Sequence, residues 1–297
     1  ARCVLENVRV RGGGSMGVYV EDCVSNEFTA VEVGRGDYTG MELWDSFDQK
    51  LVRVTLWSNA WDGLYMADCT NVRLESCVIA HNSSFDISAL YCRWSMSNSI
   101  VYHTGVGIAV YNAASSVYEG DHNNFFFPSG YHGTLPGTSG QDRHSLAHDP
   151  LFADSTNGDF HLRSETGRRL ADGSWAADGV HSPCIDTACP SLPWANEPAP
   201  NGARANIGCH ANTADASKSR TNAWILATSF NNGGRLSGTT EVFWAYGNLS
   251  DTNRVRIDCS LDDGSTWQVL ASNVSVQASQ VWNTMLTATS TPVARWR

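Results

Sequence analysis

A period of 23 residues in the first third of the chain constrains the fold more than any other feature of the sequence. Apolar residues recur at this interval in four columns: Val8, Val31, Val54, Cys77 and Ile100; Val10, Val33, Leu56, Ile79 and Tyr102; Val18, Met41, Leu64 and Ile87; and Val20, Leu43, Met66 and Ala89. Within a run such as Val8-Arg9-Val10, one outward residue separates two inward ones, which is the alternation of a strand with one buried face. A fixed period of such short strands predicts a solenoid.

The period divides residues 1–113 into five coils, namely 1–23, 24–46, 47–69, 70–92 and 93–113. The fifth coil is predicted to be shortened, because the run Gly107-Ile108-Ala109-Val110 comes two residues early. The pattern argues against a helical solenoid, since no coil has apolar residues at i, i+3, i+4 and i+7. Parallel coils of this length resemble the right-handed parallel β-helix, the fold of pectate lyases and of many bacterial surface proteins.

A different pattern follows the coils. From Tyr118 to Gly140 the period breaks into an aromatic, Gly-rich segment, which predicts an irregular rung with a long excursion. The segments DPLFAD, NGDFHL, SPCID and PNGARANIG then succeed one another between residues 149 and 208. This order resembles the closing segment of bacterial right-handed β-helix repeat proteins, over about residues 120–215. The resemblance implies one β-helix domain, residues 1–215, with an irregular closing segment.

The C-terminal quarter of the chain predicts a second, all-β domain. The small and polar run 213–220 suits a linker, and residues 222–297 alternate again between closely spaced turns, which favours a β-sandwich. Residues 260–267 resemble a single Asp-box and are interpreted as a hairpin turn closed by Asp side chains. The domain resembles the immunoglobulin-like or fibronectin-like modules of secreted bacterial proteins, and it is expected to lack a final strand.

Charge and hydropathy exclude several partners. The net charge of −10 and the pI of about 5.3 argue against a nucleic-acid or anionic-membrane partner, which would require a basic face. No stretch approaches the roughly 20 apolar residues that span a bilayer, so no membrane insertion is expected. Both ends of the sequence fall within strand patterns, and we expect a piece of a longer secreted protein located at the cell surface.

Nine cysteines are an odd number, so at least one thiol is unpaired within the chain. Cys184 and Cys189, in a Pro-flanked loop, are the disulfide candidates, with Cys209 as a rival partner. Cys23, Cys69 and Cys92 share the 23-residue register and are interpreted as stacked free thiols, with a disulfide between neighbours as the alternative. The sequence contains no paired CxxC motif, so the cysteine spacings do not predict a zinc site.

Three aspartates also follow the period, and they are the metal candidates: Asp22, Asp45 and Asp68. Coils stacked in register would place these carboxylates about 5 Å apart, where Ca²⁺ could relieve their repulsion. The alternative is that each Asp lies exposed at a corner and bonds the next turn. A pair of carboxylates at this separation also allows a retaining glycosidase, although an exposed column offers neither a buried acid nor a cleft.

Four aromatic residues are the carbohydrate-binding candidates: Trp44, Trp57, Trp61 and Tyr65. A flat aromatic strip along a solenoid can stack on sugar rings. The alternative is that these rings cover apolar surface at corners or pack against a neighbouring domain.

No catalytic residues are predicted. Arg53 and Arg73, the basic groups that a lyase would require, fall at different offsets of their coils, and His81 and His103 fall near one corner. The sequence therefore favours a structural or adhesive module of a large surface protein, with other copies or neighbouring repeats as partners and filament formation as a consequence. The alternatives are a polysaccharide lyase or glycoside hydrolase and a non-catalytic carbohydrate-binding module.

Overall fold

The computed structural model describes residues 3–104, 109–127, 142–228, 239–260, 264–277, 279–283 and 295–296. The chain divides into two compact units, Ala1–Arg220 and Thr221–Arg297. Both are built from β-strands, with one short 3₁₀ turn, Ser155–Asn157, among the described residues. A search of the described residues found no helix with the length and hydropathy needed to cross a bilayer.

Three parallel sheets form the solenoid of the first unit. The first sheet contains, in spatial order, β1 (Val4–Glu6), β4 (Glu27–Thr29), β7 (Phe47–Val52), β10 (Thr70–Glu75), β13 (Arg93–Ser97) and β16 (Val117–Asp121). The second contains β2 (Arg9–Arg11), β5 (Glu32–Gly34), β8 (Thr55–Trp57), β11 (Val78–Ala80), β14 (Ile100–Tyr102) and β17 (Asn124–Phe126). The third contains β3 (Val18–Glu21), β6 (Met41–Trp44), β9 (Leu64–Ala67), β12 (Ile87–Leu90) and β15 (Val110–Asn112).

The predicted coil length of 23 residues is confirmed by the strand register. Val10 pairs with Val33 and Val33 with Leu56, while Val18 pairs with Met41 and Met41 with Leu64. The inward members of these columns form one continuous apolar core, in which Met41, Leu43, Leu56 and Leu64 are fully buried. Burial of this column of side chains is the main force that holds each coil on the next.

The register differs from the prediction in the fifth coil. Asn71 has a left-handed backbone and forms a bulge, so Val72 pairs with Trp94, and in the second sheet Val78 pairs with Ile100. Tyr102 consequently aligns with Ala80 and lies on the outer side, not in the core column that contains Ile79. In the third sheet Val110 pairs with Ile87 at the full interval, so the predicted shortening before Val110 is wrong; Gly107 and Ile108 lie outside the described residues.

The solenoid continues past the predicted break at Tyr118. β16 and β17 add a further strand to the first and second sheets, and Leu146 makes an isolated parallel bridge to Asn124. Tyr118 itself is buried against Trp94, with ring centroids 4.5 Å apart. The interval lengthens to 24 residues here, and aromatic residues replace the aliphatic ones of the earlier coils, so the 23-residue pattern is lost although the strands continue.

Left-handed backbone at the corners turns the chain from one sheet to the next. Residues with positive φ recur in four columns: Asn7, Ala30, Arg53, Ser76, Asn98 and His122; Asp22, Asp45, Asp68 and Tyr91; Ser25, Asp48 and Asn71; and Gly12, Arg35, Ser58 and His81. Members of a column differ in size and charge, yet all share the conformation. At most of these positions the main-chain amide donates to a carbonyl one coil away, as that of Asp45 does to Ala67, which satisfies the polar backbone at the turn. The amide of His122 donates to Asp121 Oδ1 instead.

Buried polar side chains connect successive coils at two further positions. Asn82 accepts hydrogen bonds through Oδ1 from both the main-chain amide and Nδ2 of Asn59. The amide of Cys69 similarly donates to Sγ of Cys92, whose own amide donates to the hydroxyl of Ser116. These two series of side-chain hydrogen bonds, which we call side-chain ladders, satisfy backbone amides that lie at corners and so have no partner within a sheet.

The closing segment folds back over the outer side of the second sheet. Its hairpin, β18 (Phe152–Asp154) and β19 (Asp159–Leu162), brings Phe160 to 6.0 Å from the Trp57 ring and Phe152 to 5.6 Å from the Tyr102 ring. Gly208 packs against Val78 and Ile100. A small antiparallel pair, β20 (Arg168–Arg169) and β21 (Trp175–Ala176), follows this hairpin. The second sheet is therefore buried on both faces at β8 and β11.

The second unit contains small antiparallel sheets. These are β22 (Trp224–Ala227) with β24 (Trp244–Gly247), β23 (Thr239–Val242) with β27 (Gln280–Asn283), and β25 (Arg254–Ser260) between β26 (Gln268–Ser275) and β28 (Arg295–Trp296). The predicted hairpin between β25 and β26 is confirmed, with Gly264 N donating to the Ser260 hydroxyl. The Asp-box residues 261–263 lie outside the described residues, and the immunoglobulin-like or fibronectin-like assignment stays a prediction.

Candidate carbohydrate-binding face

The outer face of the third sheet carries aromatic and acidic side chains in two columns. Paired in register, the first column comprises Tyr19, Glu42, Tyr65, Ser88 and Tyr111, and the second comprises Glu21, Trp44, Ala67 and Leu90. These side chains point outward because they alternate with the core residues of the same strands. We call the outer side of the third sheet the aromatic face.

Trp44 and Tyr65 form the centre of the aromatic face. Their ring centroids are 5.0 Å apart with an interplanar angle of 37°, and Trp44 Nε1 donates to Glu42 Oε2 over 3.1 Å. Burial raises the pKa of Tyr65, and the nearby charges of Glu42 and Asp62 raise it further. The Tyr65 phenol is therefore a neutral hydrogen-bond donor at physiological pH, beside a Trp whose orientation is fixed by a carboxylate.

Carboxylates supplement the rings. Asp62 is buried, and its Oδ1 accepts the amide of Phe85 over 3.1 Å. Burial raises the pKa of Asp62. The five strands of the third sheet contain no Lys or Arg, so the face combines apolar rings with hydrogen-bond acceptors and negative charge.

The structure places two predicted sugar-binding residues in the aromatic face and separates the other two. Trp44 and Tyr65 are in contact, as described, whereas Trp61 is 59% exposed in the turn before β9. Trp57 lies in the second sheet and is fully buried, so its expected place in an exposed strip is wrong. The closing segment covers it, with Gly158 against one side of the indole.

Trp57 has a structural environment of its own. The guanidinium carbons of Arg11 and Arg35 lie 5.5 Å and 5.0 Å from the indole centroid, and Nε1 donates to Glu32. Arg35 also donates to the Thr156 carbonyl and to Asn157 Oδ1. These contacts attach the closing segment to the coils.

The predicted aspartate column is exposed and occupies a corner. Asp22, Asp45 and Asp68 all have positive φ, and their amides donate to the carbonyls of Trp44, Ala67 and Leu90. Asp tolerates this conformation better than most residues. The column is absent from the groups of described residues whose ligand atoms converge within 4.8 Å, so the structure does not bring the three carboxylates together. Calcium binding by the column stays a prediction.

The predicted disulfide between Cys184 and Cys189 is not formed, since both are free thiols. Cys184 is fully buried, and Cys189 places its Sγ 3.1 Å from the Ser191 hydroxyl. All nine cysteines of the chain are free thiols in this structure, including Cys209. Burial raises the pKa of Cys184, which keeps it protonated and unreactive.

The basic residues that a lyase would require do not assemble. Arg73 forms an ion pair with Asp48 at 2.7 Å, whereas Arg53 lies at the left-handed corner between β7 and β8. His81 contacts the hydroxyls of Thr104 and Ser155. His103 does not face solvent at the corner; it is buried, with Nδ1 2.7 Å from Asp86 Oδ2.

Sequence reasoning missed one constellation, Asp121 with His122 and His144. Within the described part of the chain this is the group of three whose ligand atoms lie within 4.8 Å of one another. The signal was present, because Asp121 and His144 are separated by 23 residues, which is the coil period itself. The break in the apolar period at Tyr118 hides this spacing in the sequence.

Comparison with known proteins agrees with this architecture. The family model described as "Right handed beta helix region" matches residues 1–125. No curated protein and no solved structure matches the chain. The matched residues coincide with the stacked coils of the three parallel sheets, and the N-terminal part of this chain is therefore a right-handed β-helix repeat.

Proposed function

We propose that this chain is an adhesive module that binds polysaccharide along the aromatic face of its β-helix. The observation that carries the proposal is the Trp44–Tyr65 pair on the outer side of the third sheet. Tyr19 and Tyr111 lie further along the column that contains Tyr65. Aromatic rings exposed on a rigid sheet offer flat apolar surface to the CH faces of sugar rings. The neighbouring carboxylates supply acceptors for hydroxyl groups.

Charge selects the class of glycan. The aromatic face carries Glu21 and Glu42 and no basic residue in its strands, and the chain has a net charge of −10. The negative charge of the face would repel a uronic-acid polymer, whereas it would not weaken the binding of a neutral polysaccharide. The ligand class is therefore a neutral glycan.

The test is binding of soluble neutral polysaccharides by calorimetry, comparing the native chain with Trp44→Ala and Tyr65→Ala. Loss of a stacking ring removes about 1 kcal/mol beyond its area term, so we expect affinity to fall about tenfold or more. Trp194→Ala is the matched control, since Trp194 is 36% exposed in the closing segment, outside the third sheet. Equal binding by Trp44→Ala and the native chain, or no binding to any neutral glycan, would reject the proposal.

A location at the cell surface, within a larger secreted protein, suits such a module.

Other copies of the chain are the second class of partner that we propose. Among the described strands, β1, β2 and β3 each form the edge of a parallel sheet, so their outer backbone groups can pair with another chain. The partly buried Leu5, Val8 and Val10 pack against the core at the same end. This arrangement favours end-to-end association into filaments, which the mass of the chain in solution tests.

A further inference from the structure

The end of β16 and the coil after it place three metal-ligating groups together. Asp121 is the last residue of β16, His122 occupies the left-handed corner that follows, and His144 lies one coil further on. The side chains are 38%, 10% and 35% exposed in that order, so an ion can reach them from solvent.

The aspartate is held rigidly. Its Oδ1 accepts the main-chain amides of His122 and His144, over 2.9 Å and 2.8 Å. Two amide donors fix the plane of the carboxylate and leave Oδ2 directed at the imidazoles. His144 Nδ1 lies 2.7 Å and His122 Nδ1 3.5 Å from that oxygen.

The two imidazoles are arranged side by side. Their rings stack with centroids 4.7 Å apart and planes within 14° of parallel, and the Nδ1 atoms of both rings face the same oxygen, Asp121 Oδ2. Ligands around a tetrahedral metal with bonds of about 2.0–2.2 Å lie about 3.3 Å from one another. The two separations from Oδ2 bracket this value, so small side-chain rotations would complete the site.

We propose that Asp121, His122 and His144 form a binding site for a first-row divalent cation of the Zn²⁺ class. Two imidazoles and one carboxylate suit zinc and its neighbours, whereas Ca²⁺ requires six or more oxygens. A bound ion would replace the proton between His144 and Asp121 and leave one position open to water. Because the ligands come from successive coils, the ion would clip residues 142–146 to β16.

Burial lowers the pKa of His122 to about 4, and a further lowering comes from the positive charge of Arg204. Its guanidinium donates to the carbonyls of Thr187 and Ala188 over 3.4 Å and 2.6 Å, which directs it to the closing segment. Asp142, one coil from Tyr118, accepts the Ser145 and Tyr118 hydroxyls and the Asn123 amide. It is therefore committed to protein donors rather than to the ion.

The matched control comes from a similar group, Asp159, His161 and His210, whose ligand atoms do not converge on one point. His161 Nδ1 lies 2.6 Å from Asp159 Oδ1, and its ring stacks on His210 with centroids 3.8 Å apart. Despite this likeness, these residues are not among the described groups whose ligand atoms meet within 4.8 Å. His161→Gln therefore removes an Asp-bound imidazole of the same kind without touching the proposed site.

The experiment titrates ZnCl₂ into the full chain by calorimetry and repeats the titration with Co²⁺ by absorption spectroscopy. We expect one Zn²⁺ per chain, an affinity at least tenfold weaker in His144→Gln and in His122→Asn, and no change in His161→Gln. Asn is chosen at position 122 because it tolerates the left-handed backbone, and circular dichroism without metal verifies folding. His144 lies partly exposed, so its variant is informative even where His122→Asn is not folded.

Three outcomes would overturn the site: no Zn²⁺ binding by the native chain, undiminished binding by His144→Gln, or a thiolate charge-transfer band in the Co²⁺ complex, which would assign the ion to the cysteines. A rise in unfolding temperature with Zn²⁺ in the native chain but not in His144→Gln would support the clip between the two coils.

Discussion

The side chain of Asn82 is expected to be among the most costly to remove from the β-helix. It makes four buried hydrogen bonds: Oδ1 accepts from the amide and from Nδ2 of Asn59, and Nδ2 donates to the Leu56 carbonyl and to Asp86 Oδ1. The main-chain amide of Asn82 also donates to Asp86, and that bond survives substitution. One side chain thus joins two coils and the buried Asp86–His103 pair.

Asn82→Ala removes all four bonds and leaves the amide of Asn59 without its acceptor. At about 1 kcal/mol for each net hydrogen bond, the free energy of unfolding should fall by roughly 4 kcal/mol. For a unit of this size, each kcal/mol corresponds to about 2–4 °C, so the unfolding temperature should fall by roughly 8–16 °C.

The assay is thermal unfolding followed by tryptophan fluorescence, with Asn157→Ala as the control. Asn157 is exposed, and its side chain bonds Asp154 and Arg35 at the surface, where each bond contributes little. We expect the control to change the unfolding temperature by less than a few degrees. If Asn82→Ala and Asn157→Ala prove equally stable, the reasoning that buried side-chain ladders hold the coils together is wrong.

Two further predictions concern pH and association. Burial raises the pKa of Glu197 from its ordinary 4.5 to about 7, and its Oε2 has no hydrogen-bond partner among the described residues. Between these two pH values the folded state therefore holds a proton that the unfolded state releases, so the free energy of unfolding should fall as pH rises from about 4.5 to 7. Urea unfolding at a series of pH values should show this dependence, and Glu197→Gln should flatten it. Light scattering at high concentration should show masses above that of one chain, with Val10→Lys at the edge strand lowering the mass, whereas a monodisperse monomer would count against end-to-end association.

The apolar columns of the first four coils could be predicted from sequence because a stacked coil obeys a local rule. Each residue of Val18, Met41 and Leu64 meets its counterpart one period away, so periodicity alone identifies the contact. The same rule failed at Asn71, where a single bulged residue shifts the following strands by one position. Such a bulge leaves no mark on composition, and Tyr102 was consequently placed in the wrong column.

The side on which Trp57 lies could not be predicted, because the contact that buries it joins residues about a hundred positions apart. Nothing in the alternation of β8 distinguishes an outer face that meets water from one that meets Phe160. Trp44 and Trp57 are equivalent in local pattern, and only the path of the closing segment separates them. The trio at Asp121 was predictable in principle, since the spacing of its ligands equals the coil length.

The left-handed corners have a consequence for how such a rod can change. Ala30, Arg53 and Ser76 occupy one corner column with the same backbone conformation and unrelated side chains. The path of the chain there depends on φ and on amide bonds to the neighbouring coil, not on what the side chain is. Charge, size and polarity at these edges are therefore free to vary without refolding, and the rod can acquire new surface chemistry, as His122 shows at the end of that same column, while its core stays unaltered.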